Sequence, residues 1–392
     1  MKTARVVGAG LSGLVAAWWL VEAGYAVEVV DASHTPGGLL QTAVTPHGLV
    51  EYGANAFVWT PVVADWFARL EIPPFFASET SRRRYIYRNG RPRRWPLGVA
   101  ETAALAARVT VRAAARDLGA RDGETVTAWS DRALGPAATA WLVAPALQGV
   151  YAASTDRLSA RAVFGGRRPG RRRMVAPADG MGAFTGTLHQ RLTARGVGFQ
   201  FGAGVDALDP REPTVVATSA TAAAPLVRPL APSVADAMDA VSTAGLLTAT
   251  MFYRPHPSDI RGFGILFPRG QGVEALGVLF NAGIFEGRGP MRSETWIYSA
   301  SERDTLPAGE LAILPVIAAD RRTLIGRTDE PLAAHARLHK HALPIYDASI
   351  AHVVTESAYL PPHLALAGNY LGRLGVSSLL EIAETAARRL GA

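Results

Sequence analysis

Cysteine is absent from this chain and lysine nearly so, Lys2 and Lys340 being the two present. The first absence excludes disulfides, thiolate metal sites, redox-active dithiols and a cysteinyl bond to a flavin. The second leaves the positive charge, +7 formally with a pI near 10.0, almost wholly to arginine. Long apolar runs are missing too. The most apolar stretch runs from Leu11 to Val21 before Glu22 interrupts it, too short to cross a bilayer. Internal repeats and low-complexity linkers do not occur, and the 49% hydrophobic content excludes a disordered chain. Met1-Lys2-Thr3 leads straight into an apolar strand without a basic n-region, apolar h-region and cleavage site, so a cytoplasmic protein is expected.

The arginines gather in two clusters. One comprises Arg82, Arg83, Arg84, Arg88, Arg91, Arg93 and Arg94; the other Arg167, Arg168, Arg171, Arg172 and Arg173. A solvated surface accounts for such clusters as well as a partner does. If they meet a partner, guanidinium groups fit carboxylates or phosphates in a planar fork, which suits an acidic small molecule or peripheral contact with an anionic membrane surface. Nucleic acid is not expected, because no reading motif accompanies the charge.

The most specific signal stands at the start. Val6-Val7-Gly8-Ala9-Gly10-Leu11-Ser12-Gly13-Leu14 is followed by Val27-Glu28-Val29-Val30-Asp31 and then Pro36-Gly37-Gly38-Leu39. A short strand from Ala4 to Val7, a glycine turn, a helix from Leu11 to Ala23 and a second strand ending in an acid make a β-α-β unit for a dinucleotide. Gly8 permits the turn, Gly10 lets backbone approach a pyrophosphate, and Gly13 lets helix and strand pack closely. The helix N-terminus offers N–H groups to phosphate. Asp31 accepts hydrogen bonds from ribose hydroxyls and repels a 2′-phosphate, which disfavours NADP. The Gly37-Gly38 pair resembles the flavoenzyme version of the motif, favouring FAD over NAD.

Further along, 47–57 reads as a strand ending in small residues, and 58–80 as a short helix and a Pro73-Pro74 loop. Residues 84–91 read as a hairpin turning at Asn89-Gly90. The alanine-rich stretch 96–159 predicts several packed helices, and 181–194 another. Strands are expected at 198–201, 204–208 and 214–218, an antiparallel sheet over 246–300, and a closing strand, glycine loop and helix after Leu364. The histidines, among them His189, His335, His339, His341 and His352, show no metal or triad spacing.

These blocks together resemble the protoporphyrinogen oxidase group of FAD-dependent, amine-oxidase-like flavoproteins. The likeness is carried by the 8–38 fingerprint, by 84–90, 147–153 with Leu158-Ser159, 262–268, 276–280 and 342–346, and by Gly368-Asn369-Tyr370. It implies an α/β protein with a doubly wound, Rossmann-like FAD domain (1–80, 175–225 and 345–392). A substrate-binding antiparallel sheet (226–344 with 81–95) and a helical subdomain serving as a membrane-facing or lid element (96–174) complete it. By matching position, Gly8, Ala9, Gly10, Ser12, Gly13, Asp31, Gly37, Gly38, Leu39, Val205, Gly368, Asn369 and Val376 would touch FAD, with Gly53, Ala54 and Asn55 near its ring. Arg84 would pair with a substrate propionate, and Leu266 and Phe285 would sandwich a tetrapyrrole.

The reaction implied is the oxidation of a porphyrinogen, protoporphyrinogen IX or coproporphyrinogen III, by hydride transfer to flavin N5. O2 or another acceptor then reoxidises the flavin. The chemistry is centred on the flavin, and no side-chain acid or base and no metal is assigned. An amine oxidase or dehydrogenase of secondary metabolism is the alternative, weakened by the lack of lysine between Lys2 and Lys340. A non-catalytic flavin- or tetrapyrrole-binding protein is another.

Overall fold

A computed structural model describes residues 2–165, 173–300, 310–372 and 374–391. Most of the second arginine cluster, Arg167 to Arg172, lies outside the described residues. The opening strand β1 (Lys2–Val7), the helix α1 (Leu11–Glu22) and the strand β2 (Tyr25–Asp31) form as the glycine pattern predicts. β1 lies at the centre of a five-stranded parallel sheet. β2 and then Gly198–Phe201 flank it on one side, Thr214–Val216 and then Leu364–Leu366 on the other. A parallel sheet of this kind is covered on both faces, which explains the apolar α1. Leu14 through Ala17 and Leu20 are fully buried, and α1 packs between β1, the helix Met181–Ala194 and the closing helix Val376–Arg389.

The close approach of α1 to β1 depends on one pair of glycines. A Cβ built on Gly13 would stand 1.8 Å from the carbonyl oxygen of Gly8, and Gly8 itself has φ +106°. No side chain fits the first position, and the second is left-handed territory that an L side chain enters only with strain.

One expected strand is missing. Residues 204–208 form a loop, and the chain next enters the sheet at Thr214–Val216, which pairs directly with β1. Val205 and Leu208 instead turn toward the core formed around Val7, Val216 and Tyr370. The helices Ala220–Val227 and Pro232–Asp239 share that core as well. The chain therefore stays with the nucleotide lobe past residue 225, and leaves it for the second sheet only at Thr243.

That second sheet has seven strands in the order Ala333–Pro344, Thr243–Tyr253, Arg292–Ser299, Gly277–Phe280, Gly264–Leu266, Arg84–Arg88, Arg91–Arg93. It departs from the expected antiparallel pattern at one place. Gly264–Leu266 runs parallel to Arg84–Arg88, since those strands come from distant parts of the chain. The hairpin turns at Asn89 (φ +53°) and Gly90 (φ +76°), as a type I′ turn requires. In the middle of the sheet the strand Arg292–Ser299 carries a buried ion pair, Glu294 with Arg321, both 2% exposed.

The helical region opens with Val99–Ala114 and continues through Val126–Ala133 and Ala144–Tyr151. Arg88 ties it to the sheet. Its guanidinium donates to both carboxylate oxygens of Glu101 at 2.6 and 2.9 Å and lies 4.2 Å from the Trp141 ring centroid. The Arg88 hydrogen bonds, aided by the Gly98 N–H, hold the Glu101 carboxyl down to about 2. Among the described residues no helix is long and apolar enough to cross a membrane.

If the α1–β1 contact sets the fold, Gly13→Ala costs at least about 3 kcal/mol in chemical denaturation. Gly186→Ala, within the helix Met181–Ala194 with nothing within 4 Å of the added carbon, gains about 0.5–1 kcal/mol. Equal midpoints for the two variants would refute the assignment.

Candidate active site

The carboxyl ends of the parallel strands meet where the chain turns to opposite sides of β1, the place where doubly wound sheets bind ligands. Two glycine turns touch there. Gly37 N–H donates to the Ala9 carbonyl at 2.9 Å, and a Cβ on Gly38 would come within 3.1 Å of Gly10 Cα. Asp31 braces the first turn by accepting the Ala9 N–H at 2.6 Å and the Ser33 N–H at 2.7 Å. A carboxylate has further lone pairs beyond these two, so its reach toward ribose hydroxyls is not exhausted.

Two helices begin at this edge. α1 starts at Gly10 and the closing helix at Gly375, and neither N-cap supplies a side chain to its helix. Leu14 N–H is the first to bond back to the Gly10 carbonyl, at 3.0 Å. The first-turn N–H groups of α1, including that of Ser12, are therefore free of intrahelical partners among the described residues and suit a pyrophosphate. This donor set fits a dinucleotide, with the glycines keeping side chains out of its path.

The remaining expected cofactor residues extend from that point. Gly53 packs under the Leu39 carbonyl, 2.1 Å from where its Cβ would be, and leads to Ala54 and Asn55, both half-buried. Ser377, one residue after Val376, accepts the Val58 N–H at 2.9 Å and so joins the closing helix to this segment. Gly368 and Asn369 follow the strand Leu364–Leu366, and the Tyr346 hydroxyl donates to the Asn369 carbonyl. Val205 lies two residues beyond Ala203, whose N–H donates to the Asp31 carbonyl at 3.1 Å.

The three expected substrate residues do not share one wall. Phe285 is 2% exposed, stacks on Phe75 with ring centroids 5.7 Å apart, and lines a crevice between the two lobes together with Asn55. Leu266 lies elsewhere, pressed against Gly149 of the helical region, where a Cβ would come within 2.5 Å of its Cδ2. Arg84 is exposed, with its guanidinium 4.3 Å from the Phe263 ring centroid and 3.6 Å from the Met174 sulfur. Among the described residues no carboxylate pairs with it. Its apolar neighbours draw its pKa below the usual arginine value by desolvation.

The crevice also holds residues that the sequence did not single out. Glu51 and Arg288 meet there at 3.3 Å with side chains 5% and 8% exposed. Burial pushes the Glu51 carboxyl up, against the pull of Thr42, the Met181 N–H and Arg288, and it draws Arg288 down. Glu51 could have been found as a lone acid in the apolar run Leu49-Val50-Glu51. Arg288, in Gly287-Arg288-Gly289-Pro290, reads as an ordinary surface turn. Among the described residues no cluster of histidine and acidic side chains could hold a metal.

Comparison with known proteins agrees with this geometry. Residues 6–70 match the NAD(P)-binding Rossmann-like domain family. The chloroplastic protoporphyrinogen oxidase of Nicotiana tabacum is 26% identical over 176 residues, 40% of this chain and 32% of that protein. The Bos taurus protoporphyrinogen oxidase is 22% identical over 99% of this chain and 98% of its own. Among solved structures, a candidate protoporphyrinogen oxidase from Exiguobacterium sp. 255-15 superposes with a TM-score of 0.82 at 16% identity, covering 100% and 99% of the two chains. Cyclohexylamine oxidase from Brevibacterium oxydans IH-35A gives 0.74 at 15% identity over 99% and 98%. The chain thus has the fold of the FAD-binding oxidoreductases. Within that class it is similar to protoporphyrinogen oxidases and amine oxidases.

Gly10→Ala separates cofactor binding from folding. Its Cβ would meet only Gly38 Cα at an ordinary 3.9 Å, so the flavin-free variant should unfold at the temperature of the flavin-free parent. Its purified form should carry less than about a tenth of the parent's flavin, since the methyl occupies the pyrophosphate approach. Full flavin content in this variant would contradict the assigned path.

Proposed function

We propose that this protein is an FAD-dependent oxidase acting on a porphyrinogen, with protoporphyrinogen IX and coproporphyrinogen III as the two candidate substrates. The observation that carries the reading is Arg84, a cation without a carboxylate partner among the described residues, seated on Phe263. Phe263 belongs to the same apolar cluster as Phe75 and Phe285. A flat ligand with acidic arms has its apolar body met by that cluster and one carboxylate by the guanidinium. The two glycine turns would hold FAD, which would supply the hydride acceptor. The chain's own residues bind, orient and exclude water: Arg84 anchors an acid, Phe285 and Phe75 form an apolar wall, and Asn55 borders the crevice beside them.

Peripheral contact with a membrane belongs to the same reading. The helix Val99–Ala114 has no buried residue, Val99 and Val111 are 91% and 67% exposed, and Trp95 beside them is 51% exposed. Arg91, Arg93 and Arg94 are exposed in the same stretch. An apolar helix face flanked by tryptophan and arginine suits an anionic lipid interface. Co-sedimentation with vesicles containing phosphatidylserine should be strong for the parent and lost in a Val99→Asp/Val111→Asp variant. Equal sedimentation of the two would end this part of the reading.

Anaerobic mixing of the holoprotein with each porphyrinogen tests the reaction: bleaching of the flavin absorbance is expected with at least one, and none with either would overturn the reading. In Arg84→Ala the lost charged hydrogen bond is worth about 1.5–3 kcal/mol, or roughly ten- to a hundredfold in KM. Flavin content should be unchanged, and an unaltered KM would return Arg84 to the surface.

A further inference from the structure

The geometry points to the buried Glu51–Arg288 pair as the device that positions the substrate wall. Arg288 is the positioning residue and Phe285 the group it holds. This rests on the reading of the aromatic cluster of Phe75, Phe263 and Phe285 as the substrate wall. The Arg288 guanidinium lies 4.2 Å from the Phe285 ring centroid, on the ring that Phe75 also stacks. Its Nη1 meets Glu51 and its Nη2 donates to the Pro177 carbonyl at 2.6 Å.

Glu51 is itself fixed from three directions. It accepts from the Thr42 hydroxyl at 2.6 Å, from the Met181 N–H at 2.9 Å, and from Arg288. The carboxylate thereby fastens the start of the helix Met181–Ala194 and the Thr42–Thr45 strand to an arginine that comes from the other lobe. The backbone repeats the tie. Leu49 N–H donates to the Arg288 carbonyl at 3.1 Å, and a Cβ on Gly289 would fall 2.5 Å from Gly48 Cα. Phe285 is thus held against the nucleotide lobe by side chain and main chain together.

Among the described residues, two polar atoms of this crevice remain without partners although both are buried: Arg288 Nε and Asn281 Oδ1. The Asn281 amide nitrogen already donates to Ser293 and Thr295, at 2.6 and 2.8 Å. One unused donor and one unused acceptor beside a charge-balanced pair favour a neutral group that can both give and take a hydrogen bond. A water, for which the crevice has about 20 Å³ of room, is such a group. A free anion is not, because Glu51 has already cancelled the charge of Arg288.

The test uses the holoprotein with Arg288→Met, Glu51→Gln and the two combined. Three quantities are measured: thermal unfolding, kcat and KM with the preferred porphyrinogen, and the Kd of the oxidised porphyrin from fluorescence quenching. Arg288→Met should raise KM and porphyrin Kd roughly tenfold, with kcat within about twofold of the parent and flavin content unchanged. Glu51→Gln should lower the unfolding temperature, because it leaves a buried cation uncompensated. The combined variant should regain that temperature without regaining KM or Kd. If it regains all three, or if Arg288→Met matches the parent in KM and Kd, the pair is merely structural and the inference falls. If Arg288→Met does not fold, Arg288→Lys, which keeps the charge but loses the fork, carries the same KM and Kd expectation. A parent protein inert to both porphyrinogens and blind to porphyrin strikes at the proposed function instead, so the two failures are told apart.

Discussion

The contact between Gly13 and the Gly8 carbonyl is the constraint on which the rest is built. It brings α1 down onto β1 and so aims the α1 N-terminus along the carboxyl edge of the sheet. The same closeness leaves room for the second glycine turn to rest on Gly10, with Asp31 holding Ala9 from below. None of this is driven by a strong interaction. It is a steric permission, granted by missing side chains, that converts ordinary apolar burial of α1 into a groove lined with backbone donors.

How much of this was legible in the sequence depended on whether the physics was local. The β-α-β unit, the Asn89-Gly90 turn and the helix Met181–Ala194 follow from spacing and backbone preference, and they appear where the residues place them. The run 204–208 alternates like a strand, yet Val205 and Leu208 both turn into the core beside Val7, Val216 and Tyr370 instead of alternating along a sheet edge. The parallel pairing of Gly264–Leu266 with Arg84–Arg88 joins segments far apart in the chain, which no local pattern encodes. Arg288 was illegible for a related reason. A glycine-flanked arginine reads as a surface turn, and its burial is decided by the other lobe closing over it.

The seam between the lobes is polar where a hydrophobic joint would be simpler. A buried ion pair seldom gains stability over an apolar pair of the same volume, because desolvation offsets attraction. Directional bonds, however, specify a relative placement in a way that apolar contact does not. Glu51 and Arg288 reach Thr42, Met181 and Pro177 of the nucleotide lobe. A shift of one lobe against the other therefore breaks several bonds at once.

The two arginines near the aromatic cluster then divide the electrostatic work. Arg288 is deep and neutralised by Glu51, so the crevice beside Phe285 carries no net charge to be satisfied. Arg84 is exposed but partly desolvated by its apolar neighbours, without a carboxylate partner among the described residues, so its charge is left open to a ligand. Under the proposed reading this matches a macrocycle whose body is apolar and whose acids hang at its rim. A charged group pushed toward Phe285 would lose hydration with nothing to replace it, whereas the same group at Arg84 exchanges water for a fork of donors. Orientation thus follows from where charge is left open and where it is closed.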